Sequence, residues 1–543
     1  MQLQASPHLG TPLKLDAVIL SRALQPSMKP RELLFAAVGV LLLLLGTFLS
    51  QRGDVFAVHT VIETPGCRVP ITILQPPDAL VTGSAVVFHG LSSNRGLMDI
   101  YGEQLAATGL RVFLPDFPGH GDNAEPFSFA QAQKCATDFV LFLQRTGRIS
   151  PSRTILAGHS MGGAIAIGLA DHFPAQGTLA ISPAPMVPTA RIPAEFIPFP
   201  PPKRLPSNLL IFSGELEPEL VAESDRALIQ IANSGLPQSG DHSSSLLGQP
   251  ARLISISHAT HTGILFDPRM WRQSVAWTRE TLHLDAGIYL KVHSPVLGGL
   301  CGLAGIFLLL PALGALLAKC FLIAPRGEEA EAPHILKVLG HFVVAFALAV
   351  LVLRYWVPLR AVRILTGDYL ASFLLLSGLY LLLAFRGSTK QALSTNGKSL
   401  LFAVVFSFAV FLGAGAWLNW RLDDVWMNAA RWARFFPLIV ACLPYFAAEE
   451  IALGPPGPGR VWTRLLRYAL LRGVGWCILV LAFFLLHSGQ LLIILFAAFF
   501  ALISGFQRLG MDFVRRRTGS AAAAAVFGAI LAAWFLASVL PLT

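Results

Sequence analysis

The chain has 543 residues, 54% of them hydrophobic and 13% charged, whereas an ordinary globular domain carries about a quarter charged. That balance excludes a wholly water-soluble protein. The formal charge of +10 lies mostly in short basic loops between apolar runs, so nucleic-acid binding is not expected.

In chain order, a first apolar run, Leu33 to Leu49, follows Lys29 and Arg31, as the core of a signal peptide would. Ser50-Gln51-Arg52-Gly53 comes next and holds no small-x-small cleavage pattern. The run is therefore expected to remain as an anchor over 33–50, behind a cytoplasmic segment 1–32. From 55 to 290 the composition is mixed, and short apolar runs alternate with helical patterns. VFAVHTVIE and RVPITILQP flank Thr64-Pro65-Gly66 and predict an opening antiparallel pair. Further strands are expected at 85–89, 111–115, 154–157, 178–182, 208–212 and 251–256. Helices are expected near 94–109, 128–146, from Met161, near 221–233 and near 269–283. Buried apolar strands separated by helices predict a mostly parallel sheet covered on both faces. The fold class is thus α/β, followed over 295–543 by an all-α transmembrane domain of about eight helices.

A span needs ~20 mostly apolar residues to cross a ~30 Å hydrocarbon core. Nine runs qualify, near 33–50, 295–318, 337–357, 369–386, 399–418, 432–452, 470–486, 489–506 and 520–540. The pair 470–486 and 489–506 is short, is joined by His487-Ser488-Gly489 and reads as a tight helical hairpin. Orientation follows from loop Lys and Arg. Segments 1–32, 319–337, 386–398, 460–472 and 508–517 carry 18 of them, against 6 in 354–363 and 421–434. The N-terminus is expected inside and the 55–290 domain outside the cytoplasm, which in a bacterium is the periplasmic side of the inner membrane. Of six cysteines, only Cys67 and Cys135 fall in that domain, an even pair able to form a disulfide in an oxidising compartment.

Ligands of such sheets bind at the carboxyl ends of the strands. The polar motifs follow the strands there: His89-Gly90-Leu91-Ser92-Ser93-Asn94, Asp116-Phe117-Pro118-Gly119-His120-Gly121-Asp122, Gly158-His159-Ser160-Met161-Gly162-Gly163, Gly214-Glu215-Leu216-Glu217-Pro218 and Ser257-His258-Ala259-Thr260-His261-Thr262-Gly263. Across roughly 60–285 the sequence resembles the α/β-hydrolase family, in particular the serine hydrolases of its monoacylglycerol-lipase-like and serine-aminopeptidase-like branch. A lone G-x-S-x-G is weak; with HG-x before it, and acid then His after it in order, the pattern is specific.

The resemblance implies Ser160 as nucleophile, lifted out of the sheet by a turn that Gly158 and Gly162 permit. It implies an oxyanion hole from the backbone N–H groups of Leu91 and Met161, the second at a helix N-terminus. His89 is expected to shape the loop. His261 is the expected general base, with His258, nearer the strand end, as its rival. The acid falls at Glu217, where Asp is the commoner residue; Glu215 is an alternative, and Glu219 suits a helix start. No cofactor or metal is expected. Pro183 to Lys203, where relatives insert a lid, is short and proline-rich and reads as a stiff loop. Its Phe196, Ile197 and Phe199 line an acyl pocket, touch lipid or pack on the domain.

Ionisable residues within spans are functional hypotheses. Glu449 and Glu450 end the sixth span beside Gly454-Pro455-Pro456 and are expected to reach the cytoplasmic interface, while His341 and Arg354 can snorkel. Trp420 to Arg434 mixes aromatics and charges, as an interfacial helix on the catalytic side would. The expected function is a membrane-anchored serine hydrolase acting on a lipid or other apolar acyl ester. The competing readings are an acyltransferase with a membrane-held acceptor, a serine peptidase, and a binding domain on a transporter or scaffold.

Overall fold

The computed structural model describes residues 30–51, 53–190, 192–194, 197–206, 208–234, 251–284, 295–323, 333–356, 361–421, 424–456 and 461–543. The N-terminal Lys14, Arg22 and Lys29, the loop cations Arg326, Arg360 and Arg460, and Phe196 lie outside the described residues. After helix α1 (Pro30–Leu49) come β1 (Phe56–Thr64), β2 (Cys67–Gln75), β3 (Gly83–Phe88), α2 (Arg95–Ala106), β4 (Leu110–Pro115), α3 (Phe129–Arg145), β5 (Thr154–His159), α4 (Met161–Gly168), β6 (Gly177–Ile181), β7 (Leu209–Gly214), α5 (Glu219–Asn233), β8 (Ala251–Ile256) and α6 (Pro268–Leu282). The eight strands form one sheet in the order β1-β2-β4-β3-β5-β6-β7-β8. β2 runs antiparallel to β1 and β4, and every other pairing is parallel.

The central strands β3, β5, β6 and β7 are buried at every residue, which requires helices on both faces. One apolar layer gathers Phe139, Val140 and Leu143 of α3 with Ile165 of α4. The other gathers Tyr101 and Leu105 of α2 with Met270, Trp271 and Trp277 of α6. α2 starts where it does because the Asn94 side chain accepts from the N–H groups of Gly96 and Leu97, the usual N-cap role of Asn. Cys67 at the head of β2 and Cys135 in α3 are disulfide-bonded, with their Cα atoms 5.4 Å apart. The α/β class and its order of strands and helices are as expected from sequence.

The second half is helical: α7 (Pro295–Cys320), α8 (Ile335–Tyr355), α9 (Gly367–Ala384), α10 (Arg386–Ala392), α11 (Gly397–Arg421), α12 (Ala429–Leu453), α13 (Val461–Leu486), α14 (Leu491–Leu495), α15 (Ala497–Thr518) and α16 (Ala521–Val539). Among the described residues, eight helices are long and apolar enough to cross a membrane: α1, α7, α8, α9, α11, α12, α13 and α16. The ninth expected span, 489–506, is not one continuous helix. Its apolar run breaks at Phe496 into α14 and α15, and α15 continues through Arg508, Asp512 and Arg515 to Thr518. α1 lies along α7 on a stripe of glycines: a Cβ at Gly46 would meet the Gly302 nitrogen at 2.6 Å and the Gly298 oxygen at 2.7 Å. Small residues at such a seam let two helix backbones approach.

Glu449 and Glu450 also depart from expectation. Both are fully buried, and they end α12 among arginines of α13 and α15. Glu449 pairs with Arg472 at 2.7 Å, and Glu450 pairs with Arg464 at 3.0 Å, Arg515 at 2.6 Å and Arg508. Buried carboxylates persist when paired and hydrogen-bonded, and here the partners come from neighbouring helices.

The two halves meet at the carboxyl edge of the sheet. The Asn94 side chain donates to the Asp424 carbonyl at 3.0 Å and accepts from the Asp424 N–H at 3.2 Å. Near the chain's last helix, Phe127 N–H donates to the Leu542 carbonyl at 2.7 Å, and Leu542 N–H donates to that of Gly119 at 2.9 Å.

Candidate active site

Ser160 sits between β5 and α4 at φ 52°, ψ −117°, a strained region that costs about 1–3 kcal/mol for a residue with a side chain. Its surroundings hold it there. Ser160 N–H donates to the Ile181 carbonyl at 2.9 Å, and its own carbonyl accepts from Ala164 at 3.1 Å and Ala184 at 2.8 Å. The turn leaves no room beside it. A Cβ at Gly158 would lie 2.3 Å from the Gly162 backbone, and one at Gly162 would lie 2.3 Å from the Phe88 oxygen.

His261 Nε2 lies 3.0 Å from Ser160 Oγ, and His261 Nδ1 is hydrogen-bonded to Glu217 Oε1. The other Glu217 oxygen accepts from Ser182 Oγ at 2.8 Å. The structure therefore brings Ser160, His261 and Glu217 into one line at the ends of β5, β8 and β7. Glu215 and His258 stand apart from that line and bond each other, since Glu215 accepts from the His258 backbone N–H at 2.8 Å, with His258 itself exposed at φ 58°. Glu219 opens α5 and pairs with Arg226. Beside Glu217, burial and then the Glu217 carboxylate raise the Asp225 pKa well above the usual carboxylate range.

Sequence reasoning passed over His159. Its Nε2 donates to the His261 carbonyl at 2.8 Å, fixing the backbone of the residue that faces Ser160. Burial, with His261 adding to it, pushes the His159 pKa down to about 3, so the ring stays neutral. The signal was its place before the serine, where any residue fits the motif.

Leu91 follows β3 in a tight loop: Ser93 N–H donates to the Gly90 carbonyl at 3.2 Å, and Ser92 has φ 59°. Two buried histidines shape it. His89 Nε2 accepts from Phe117 N–H at 3.0 Å while its Nδ1 donates to the Gly90 carbonyl at 2.8 Å. His120 Nε2 accepts from Ser92 N–H at 3.2 Å while its Nδ1 donates to the Pro118 carbonyl at 2.9 Å. Both rings accept backbone protons, which only a neutral imidazole can do. Burial lowers both pKa values, that of His120 well below the usual range. Met161, buried, opens α4 directly after Ser160.

Behind this loop, Arg95 gathers three carboxylates. Its guanidinium pairs with Asp116, with Asp122 at 2.6 Å and with Asp424 at 3.5 Å. Asp116 also accepts from the N–H groups of Arg95 at 2.8 Å and Asp122 at 3.0 Å. The arginine is the cation that these three acids share. In the segment after β6, Phe199 is buried and meets Phe129 of α3 edge-on, with ring centroids 5.5 Å apart. Of the alternatives for that residue, packing on the domain is the one observed.

A mostly parallel sheet with a strained serine at a strand-to-helix turn, facing a histidine and then an acid, defines an α/β-hydrolase architecture. Residues 85–284 match the Alpha/beta hydrolase family. A Mycobacterium tuberculosis protein described as an acetyl-hydrolase, LipR, is 27% identical over 179 residues, which are 31% of this chain and 56% of LipR. The chain thus spans little more than half the length of that relative. Similar solved structures include a lidless α/β serine hydrolase from Xanthomonas campestris (15% identity, 42% of this chain and 96% of that one, TM-score 0.32). Another is an esterase from Rhizomucor miehei (15%, 49% and 96%, TM-score 0.35). A third is a hyperthermophilic esterase from Pyrobaculum calidifontis (16%, 49% and 96%, TM-score 0.33).

Proposed function

We propose that the protein is a membrane-anchored serine hydrolase that cleaves a carboxylic ester through an acyl-enzyme. The observation that carries this reading is the Ser160–His261–Glu217 line, with 3.0 Å between Ser160 Oγ and His261 Nε2. His261 takes the hydroxyl proton as Ser160 Oγ attacks the ester carbonyl carbon, and Glu217 orients and stabilises the imidazolium. The oxyanion is met by the N–H groups of Leu91 and Met161. Collapse expels the alcohol, which leaves with the proton from His261. Water, deprotonated by His261, then attacks the acyl-enzyme; the Ser160 Oγ–acyl bond breaks, Ser160 Oγ takes that proton back from His261, and the acid is released.

The favoured substrate is a lipid or other apolar acyl ester. What supports this is that the sheet edge bearing Ser160 is the edge that meets the membrane half, through Asn94 with Asp424 and Gly119 with Leu542. The hydrolase half is read as lying outside the cytoplasm. The bias of loop Lys and Arg supports that side, as does the Cys67–Cys135 disulfide, a bond that persists in oxidising compartments.

A fluorophosphonate probe on membranes from expressing cells tests the chemistry, with labelling of wild type and none of Ser160→Ala expected. Absence of Ser160-dependent labelling would falsify the enzyme reading. Protease added to cells stripped of any outer membrane tests the side, and a hydrolase half protected until permeabilisation would reverse it.

A further inference from the structure

We infer that the membrane half positions the oxyanion loop, with Arg431 as the positioning residue and the Asn94–Asp424 pair as a second point of attachment. This rests on the reading of the Leu91 N–H as an oxyanion donor.

Arg431, in the first turn of α12, is 1% exposed. Its guanidinium spans both halves. Nη2 donates to the Gly119 carbonyl at 2.8 Å and Nε to that of Gly121 at 3.3 Å. Nη1 donates to the carbonyls of Ala537 at 2.5 Å and Leu540 at 3.0 Å. The planar fork of Arg can reach four carbonyls at once, and the single ammonium of Lys cannot. Gly119 and Gly121 flank His120, whose ring accepts the Ser92 N–H, and Ser92 follows Leu91. A shift of the Gly119–Gly121 turn is thus passed through one side chain to the residue beside the proposed donor.

The second attachment approaches the same loop from its other end. Asn94 exchanges two hydrogen bonds with the Asp424 backbone, and Arg95 faces the Asp424 carboxylate. The fit is close, since a Cβ on Gly96 would stand 2.8 Å from the Asp424 nitrogen. Residues 89–95 are therefore held from both sides by groups that belong to the membrane half. A misplacement of about 1 Å at a catalytic group can cost about 10²-fold in rate, so loosening either hold is expected to appear in kcat.

The test uses the full chain in nanodiscs, with sites counted by fluorophosphonate titration and turnover measured on a short-chain p-nitrophenyl ester. This soluble substrate removes any effect on access from the bilayer. Arg431→Lys and Arg431→Met are expected to lower kcat per titrated site by about tenfold or more, with KM within about twofold. Gly96→Ala, which wedges the 424 segment away, is expected to act in the same direction and serves if the Arg431 variants do not fold. Arg434→Met removes a charge from the same helix, where Arg434 bonds only its own turn through Ala430 at 2.7 Å among the described contacts; it is expected to keep wild-type turnover. A purely structural role would reduce the number of titratable sites while each remaining site turned over at the wild-type rate, and that result overturns the inference. If wild type takes up no probe, the enzyme reading itself fails; if wild type labels and Arg431→Lys matches it site for site, only the positioning role fails.

Discussion

Two glutamates two positions apart, Glu215 and Glu217, are separated in role by what their oxygens reach. Glu217 meets His261 Nδ1 and Ser182, while Glu215 caps the backbone at His258. Glu217→Gln is expected to lower kcat by about 10²–10⁴-fold, because the amide can hold the wrong tautomer. Glu215→Gln should stay within a few-fold, and equal losses on a soluble ester would remove the distinction. Three other histidines set a pH dependence. His89, His120 and His159 have pKa values lowered chiefly by burial, that of His159 to about 3. Below the ordinary value of about 6.5 the unfolded chain takes up protons that the folded one refuses, so their stabilisation is lost as pH falls. For His159 the loss runs from about 6.5 down to about 3. Asp225, with its raised pKa, acts in the opposite sense, as a protonated acid whose contribution fades as pH rises. In a protein carrying Asp225→Asn, where that opposing contribution is removed, the Tm of this half is expected to fall between pH 7 and pH 5. A flat profile would show that these rings do not stay neutral.

At the level of elements, the strands and helices of the α/β half were legible because most of its strands are short apolar runs closed by Gly, Pro or Asp. The order of the polar motifs likewise put Ser160, His261 and Glu217 at one sheet edge. Hydropathy was less reliable in the second half. It recognised 489–506 as apolar, yet it is blind to the break at Phe496 and to charges that find partners inside. Those charges join α12, α13 and α15. Glu450 alone faces Arg464, Arg508 and Arg515. Removing one partner from a buried ion pair leaves the others uncompensated, at about 3–5 kcal/mol. Glu450→Gln is therefore expected to lower the Tm of the detergent-solubilised protein markedly, and an unchanged melting curve would mean that these helices do not depend on the network.

For the whole molecule, the joints between the halves were not legible at all. Asn94 with Asp424, and Gly119 with Leu542, are pairs hundreds of positions apart, and neither leaves a periodicity or motif behind. The aromatic and charged stretch from Trp420 to Arg434 stood out as unusual, but nothing local said that Arg431 would reach into the Gly119–Gly121 turn; within it, residues 422–423 lie outside the described structure. The Leu542 contact has a consequence for biosynthesis. The turn at Gly119 is made about 420 residues before its last partner, so at about 5–20 residues per second it waits about 20–85 s during translation. A hydrolase fold can close around its serine within that time while the loop beside it is still unbraced. Probe uptake by newly made chains is therefore expected to lag the synthesis of residue 284 by about 13–52 s, the time taken to reach Leu542. Chains stalled before Ala429 that label at the full rate would contradict it. Such a delay would keep the proposed hydrolase chemistry silent until the helical half is in place.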